Sequence, residues 1–341
     1  MTTASEAQAW EARVLALILH LERRPFDPWT GDPISLTPAE LKRQGQALFQ
    51  PYPEDGNQWV DRALGALTGR GWLERRGDIL WLASNGRQPA QKAWRRWAAP
   101  GFDGLLLEAD QSVTYARFCR QVYGRALGQF SPVDRTQIQL LTEILAWRRP
   151  TRLIDLGCGT GGLTVCLASA LGAEIHGVDW GVGALEAARR RAREENEEVV
   201  FQRVDLQRLQ LPPRSFDALV LVDVMVHLIE PWKLLDRWLP ALDLGGCVVI
   251  LGSDVAEPID SADPLAWQLR RHGLKIHGVD LTRVEGNLWR RQLEELPGLE
   301  GEFRAEGRQD LWTILHQEAR RGWRWFKEGR LRRRLVLGVR G

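Results

Sequence analysis

The residues best suited to chemistry lie between positions 151 and 227. Thr151-Arg-Leu-Ile-Asp-Leu-Gly-Cys-Gly-Thr-Gly-Gly-Leu-Thr164 reads as a short apolar strand, a turn with four glycines and the start of a helix. Glycines let the backbone approach a bound ligand closely, and the helix that follows offers unpaired N–H groups at its positive end. Gly157, Gly159 and Gly162 also satisfy G-x-G-x-x-G, so on the glycines alone a dinucleotide stays open as the ligand. Three carboxylates surround the turn: Asp155 on the strand that leads into it, Asp179 at the end of the next strand and Asp205 at the end of the third. A carboxylate only accepts hydrogen bonds, so the series suits a ligand with an ammonium end, a ribose diol and an exocyclic adenine amine. His227, in Asp223-Val-Met-Val-His-Leu-Ile-Glu-Pro, follows a fourth strand. Its imidazole is either a base that takes a proton or a helix-terminal group bonded to backbone. His316, two residues before Glu318, is the second candidate base, whereas His176 lies inside a strand and reads as core.

The elements that position these groups alternate. Strands are expected at Glu174–Asp179, Val199–Val204, Phe216–Val222, Cys247–Leu251, Leu274–Leu281 and Leu331–Val339, with helices at Ala184–Glu195 and Leu265–His272. Strand alternating with helix means an α/β fold with a parallel sheet and ligands at the carboxyl ends of its strands. Ahead of the glycine turn, Val113–Gly124 and a segment capped by Ser131-Pro132 and Asp134 are expected to be helical. Tyr115, Phe118 and Tyr123 on the first of these either close over the ligand or form core. Residues 283–330, rich in Trp and Leu, are too long for a plain connection and make a helical cap insertion.

Upstream, helices at 4–23, from Thr37-Pro38 and at 57–69 precede a hairpin with its tip at Gly77-Asp78, the outline of a small winged-helix-like domain over 1–97. Thirteen Lys and Arg against eleven Asp and Glu in residues 1–100 do not make the concentrated basic face that a DNA reader needs, so packing or dimerisation is favoured over nucleic-acid binding. Residues 98–111, with the preceding Trp94 and Trp97, read as a linker, and 112–341 as the main domain. Net charge is +2, and no apolar run approaches the length of a membrane span, so a cytoplasmic protein is expected. Four scattered cysteines suit no metal site. Glu318–Arg334 carries eight Lys and Arg and two Glu; a solvated helix face leading into an edge strand is favoured over an RNA-binding tail.

Asp155-Leu-Gly-Cys-Gly-Thr-Gly161, the spacing to Asp179 and Asp205, Phe216-Asp217-Ala-Leu-Val and Leu244-Gly245-Gly246 together resemble the class I S-adenosylmethionine-dependent methyltransferases over residues 112–341. The resemblance implies a Rossmann-like seven-stranded sheet whose last strand runs antiparallel, with S-adenosylmethionine as cofactor. It places Asp155 and the turn of Gly157, Cys158, Gly159 and Gly161 at the methionine end, Asp179 and its neighbour Trp180 at the ribose, and Asp205 with Leu206 at the adenine. Asp223 and Tyr115 are further expected contacts. The implied activity is in-line methyl transfer to an oxygen or nitrogen of a small molecule, with a possible homodimer through residues 1–97. No Asn-Pro-Pro-Tyr tetrapeptide and no Pro-Cys pair follows the fourth strand, which argues against adenine or glutamine nitrogen and cytosine carbon as acceptors.

Overall fold

The computed structural model describes residues 4–23, 36–48, 55–90, 93, 99–228, 231–255 and 264–341. The chain divides into two compact units, Met1–Phe102 and Asp103–Gly341. In the first, helices α1 (Ala4–Arg23), α2 (Pro38–Leu48) and α3 (Gly56–Gly69) are followed by an antiparallel hairpin of β1 (Leu73–Arg76) and β2 (Ile79–Leu82). The start of α2 is fixed locally: the Thr37 hydroxyl accepts the Glu40 N–H at 3.2 Å, while Leu36 and Leu41 are both buried. Trp94 and Trp97 lie outside the described residues.

The expected linker at 98–111 is instead a helix, α4 (Ala99–Gln111). Pro100 sits in its first turn, where a missing N–H costs nothing, and Leu105, Leu106 and Ala109 form an apolar stripe at helical spacing.

The second unit is a seven-stranded mixed sheet. In chain order its strands are β3 (Arg152–Leu156), β4 (Glu174–Asp179), β5 (Val199–Arg203), β6 (Phe216–Val222), β7 (Leu242–Val255), β8 (Leu274–Asp280) and β9 (Leu331–Arg340). Their spatial order is β5-β4-β3-β6-β7-β9-β8, all parallel except β9, which runs antiparallel to both its neighbours. The final strand is therefore interior, not the expected edge: Leu331, Leu335 and Val336 are buried, and β8 takes the edge.

The helices of this unit are α5 (Val113–Tyr123), α6 (Arg135–Arg148), α7 (Gly162–Leu171), α8 (Val182–Glu194), α9 (Pro231–Trp238), α10 (Pro264–Arg271), α11 (Thr282–Ala305) and α12 (Gln309–Lys327). One face of the sheet buries Leu219, Leu221, Leu235, Trp238 and Val248; the other buries Leu141, Leu145, Leu153, Val220 and Val249. Near-continuous apolar runs in β6 and β7 are what two covered faces require. The insertion forms the hairpin α11–α12, which packs with α5 through Phe118, Leu288, Leu296 and Leu315. Two glycines let this hairpin close: the Phe326 ring lies where a side chain on Gly286 would be, and the Trp289 ring does the same at Gly322. Among the described residues no helix is long and apolar enough to cross a membrane.

Candidate active site

The glycine turn has a packed side and an open one. The N–H groups of Gly157 and Cys158 both donate to the Val178 carbonyl, at 2.8 and 3.1 Å, so the turn leans on the end of β4. Gly157 has φ +88°, and a Cβ there would come within 2.5 Å of Val224 Cγ2. At Gly159, φ +53°, an added Cβ would meet nothing within 4 Å. The left-handed backbone is thus required by the fold on one side and leaves a cradle on the other.

Each acid of the series stands at the carboxyl edge, in a different environment. Asp155 is buried, and its Oδ2 accepts a hydrogen bond from the Thr164 hydroxyl at 2.7 Å. Burial pushes its carboxyl up to about 6; the Thr164 bond opposes this and the neighbouring Asp179 adds to it. Asp179 accepts the Gly159 N–H at 3.0 Å and the Gly181 N–H at 2.9 Å. Burial raises its pKa as well, against the pull of those backbone donors. Asp205 accepts the Gln207 N–H at 3.0 Å, and the Leu206 side chain between them is buried in the sheet core. Trp180 is half-buried beside them, its carbonyl accepting from Arg203 Nε at 3.1 Å. The Cys158 thiol is held well above the usual range, by burial first and then by Asp155 and Asp179, which makes it inert as a nucleophile.

Two expected cofactor contacts are engaged elsewhere. Tyr115 is buried, its hydroxyl donates to the Gln129 carbonyl at 2.7 Å, and its ring stacks on Phe118 and Phe130; of the two roles open to it, core is the one it fills. Asp223 adopts φ +52° just past β6, donates its N–H to the Leu251 carbonyl at 2.8 Å, and has both carboxylate oxygens on the guanidinium of Arg333. An aspartate tolerates the left-handed region better than most residues, and the bidentate pair holds it there. His227 ends a 3-10 turn, Met225–His227, at the same edge, half-buried, its N–H on the Val224 carbonyl at 2.9 Å. His316 lies on α12, stacked on Trp312 with ring centroids 4.9 Å apart, and burial with the Arg320 charge lowers its pKa. His176 is half-buried with its ring nitrogen 2.8 Å from Glu174 Oε1, so it is not a fully enclosed core residue.

Sequence reasoning passed over several residues that shape this edge. Asp103 caps α8, accepting the Gly183 and Ala184 N–H groups at 3.0 and 2.9 Å. Thr160, in the turn itself, donates to the Gly128 carbonyl at 3.0 Å and so binds the segment after α5 to the glycine loop. Arg333, fully buried, joins Asp223 to Gln137 at 2.8 Å and lies 3.9 Å from Glu285. Its signal was present: Arg333 alternates in phase with Leu331, Leu335 and Leu337, an inward position where an apolar side chain is the rule. Among the described residues no cluster of three or more His, Cys, Asp or Glu is arranged to hold a metal ion.

Residues 153–246 match the methyltransferase domain family, and the seven-stranded order β5-β4-β3-β6-β7-β9-β8 with its glycine turn after β3 is a Rossmann-like arrangement. The curated relatives include the ubiquinone biosynthesis O-methyltransferase of Nitrosococcus oceani, 37% identical over 24% of this chain and 34% of its own length. Phosphoethanolamine N-methyltransferase 3 of Arabidopsis thaliana is 22% identical over 66% of this chain and 44% of its own. The chain therefore spans less than half the length of either. Among solved structures, phosphoethanolamine N-methyltransferase 2 of Haemonchus contortus in complex with S-adenosyl-L-methionine aligns with a TM-score of 0.59 at 20% identity. That alignment covers 70% of this chain and 60% of the other, a likeness of fold.

Proposed function

We propose that the chain is an S-adenosylmethionine-dependent methyltransferase that modifies an oxygen or nitrogen of a small molecule. The observation that carries this reading is the open space at Gly159, whose N–H the Asp179 carboxylate accepts, with Asp155 on β3 and Asp205 just past β5 at the carboxyl edge of the same sheet. Asp155 and the turn from Gly157 to Gly161 suit the methionine end, Asp179 the ribose diol, and Asp205 with the Leu206 backbone the adenine. The cofactor brings an already activated methyl group, so the protein's task is to align the acceptor and keep water out. His227, four residues past Asp223, is read as the base that takes a proton from an oxygen acceptor, with His316 on the helical hairpin as the second candidate.

The first unit is read as a winged-helix-like packing or dimerisation module. Among the described residues several of its basic groups have partners within the unit: Arg70 is paired with Glu11, Lys42 holds Asp61 at 2.7 Å, and Arg62 lies over the Trp59 ring. In the basic C-terminal segment Arg333 is buried and Arg334 pairs with Asp254 at 2.8 Å, which speaks against an RNA-binding tail.

Calorimetry with S-adenosylhomocysteine tests the reading. The wild-type chain is expected to bind it, and Asp179→Ala, which strips the acceptor from the Gly159 and Gly181 N–H groups and the partner from the ribose, is expected to weaken binding by about tenfold or more. Absence of binding by the wild-type chain, or equal binding by the variant, refutes it.

A further inference from the structure

The helix that follows Asp179 is capped by a residue from elsewhere in the chain. Gly181, with φ −69° and ψ 124°, is the N-cap of α8 and has no side chain to offer the first turn. An N-cap side chain serves the N–H groups of the second and third helical residues. Here these are Gly183 and Ala184, and Asp103 of α4 takes one on each carboxylate oxygen, at 3.0 and 2.9 Å. A negative charge at the positive end of a helix is favourable as well.

The glycine at position 181 has its cause in the same contact. Its backbone is extended, a conformation open to every residue, so the dihedral angles do not call for glycine. Space does: a Cβ on Gly181 would lie 2.5 Å from Asp103 Oδ1 and 3.1 Å from Asp103 Cγ. Gly183 faces the same helix, with Leu107 Cδ2 3.3 Å from the place of its Cβ. Two turns beyond Asp103, the enclosed carboxylate of Asp110 pairs with Arg190 and, at 2.6 Å, with Arg191. α4 therefore lies along α8 from Gly181 to Arg191, and its first carboxylate is seated in the turn between β4 and α8.

That turn follows directly on Asp179. Asp179 Oδ1 accepts the Gly181 N–H at 2.9 Å, and its Oδ2 accepts the Gly159 N–H at 3.0 Å. Gly181 is thus held at its N–H by Asp179 and at its Cα by Asp103. A shift of the first turn of α8 would pass through Gly181 to Asp179, and from there to the glycine turn.

We propose that Asp103 is a positioning residue for the cofactor: by capping α8 from α4 it fixes the Asp179 carboxylate against Gly159 and Gly181, and so sets the affinity for the cofactor's ribose. Asp103 stands outside residues 153–246, the part of the chain that matches the methyltransferase domain family. That a ribose is bound there rests on the methyltransferase reading; that Asp103 holds the turn rests on its two hydrogen bonds and its close approach to Gly181.

The test is calorimetry of the full chain with S-adenosylhomocysteine on a cycle of wild type, Asp103→Ala, Asp179→Ala and the double variant. Asp103→Ala is expected to weaken binding about tenfold, in line with the loss of a helix cap. In the Asp179→Ala background the same change is expected to cost less than about twofold, because a residue that acts through Asp179 then has nothing left to position. Glu306→Gln is the control for destabilisation alone: Glu306 accepts from the Ser112 hydroxyl and from the Thr114 N–H and hydroxyl at the start of α5. It is expected to lower the thermal midpoint and to bind S-adenosylhomocysteine like the wild type. Amide hydrogen exchange of the ligand-free chain reads the turn itself. The Gly159 and Gly181 N–H groups bond to Asp179 and not to Asp103, and in Asp103→Ala they are expected to exchange about fivefold faster or more. The proposal is overturned if Asp103→Ala binds like the wild type, if its effect persists in full without Asp179, if Glu306→Gln weakens binding as much, or if exchange at Gly159 and Gly181 is unchanged. Should the wild type bind no S-adenosylhomocysteine, the methyltransferase reading fails by itself and the exchange rates decide: faster exchange at both glycines upholds Asp103 as the holder of the turn, and unchanged exchange overturns it.

Discussion

Replacing Asp155 by asparagine separates the cost of a buried charge from every other feature of the glycine turn. The Asp155 carboxyl is shifted from 3.8 to about 6, with burial as the largest cause. Between those values the folded chain holds a proton that the unfolded chain has lost, so stability falls as pH rises through the window and is fully present only below it. By linkage the penalty on the wild type is about 1 kcal/mol near pH 4.5 and about 3 kcal/mol near pH 7.5. The asparagine side chain is isosteric and can still accept from Thr164, but its amide N–H group needs a partner, which adds a constant cost of roughly 1–3 kcal/mol at every pH. The constant cancels in a difference. Relative to wild type, Asp155→Asn should therefore gain about 2 kcal/mol between pH 4.5 and pH 7.5 in urea unfolding of the ligand-free chain. A stability difference that stays flat across this range would mean that the carboxyl titrates near its ordinary value and is not the desolvated group described above.

Two further perturbations test the packing behind the site. Arg333→Met leaves the buried Glu285 and the half-buried Asp223 without their guanidinium and should cost about 3–5 kcal/mol in urea unfolding; a loss under about 1 kcal/mol would show that water reaches both acids. Gly286→Ala puts a Cβ 2.4 Å from Phe326 Cδ2, so the α11–α12 hairpin should be destabilised by about 1–3 kcal/mol, partly recovered when Phe326→Leu is added. No recovery in the double variant would place the strain elsewhere.

How much of this was legible in the chain depends on how local the cause is. The start of α2 and the tip of the hairpin after Gly77 depend on residues within four positions of each other, and both stand where the sequence puts them. The strands of the sheet are equally plain, because two-sided burial writes itself as uninterrupted apolar runs, as in Ala218-Leu-Val-Leu-Val222. The helix over Ala99–Gln111 was less plain, since Pro100-Gly101 signals a break wherever it falls and is harmless only in a first turn. The place of β9 between β7 and β8 was hidden because an antiparallel interior strand and an edge strand both alternate, and only the partner decides.

The hardest feature to foresee was the acid network, and the reason is distance along the chain. Arg333 and Asp223 are 110 residues apart, and Glu285 is equally remote in pattern, lying on the apolar stripe of α11 between the sheet edge and Leu288. Each reads alone as an isolated charge at an inward position, the kind of local inconsistency that a stable fold keeps only with a partner or a purpose. Here the partners come from β9, β7 and α11: Arg333 takes both oxygens of Asp223, and Glu285 accepts from Ser253 and from Trp289. A fold that needed only stability would fill these positions with apolar side chains of similar volume, which are often as stabilising as a buried ion pair or more so. The network instead ties the end of β6 to β7, β9 and the first turn of α11, through Asp223, Ser253, Arg333 and Glu285 in one hydrogen-bonded chain, and so fixes where the helical hairpin leaves the sheet.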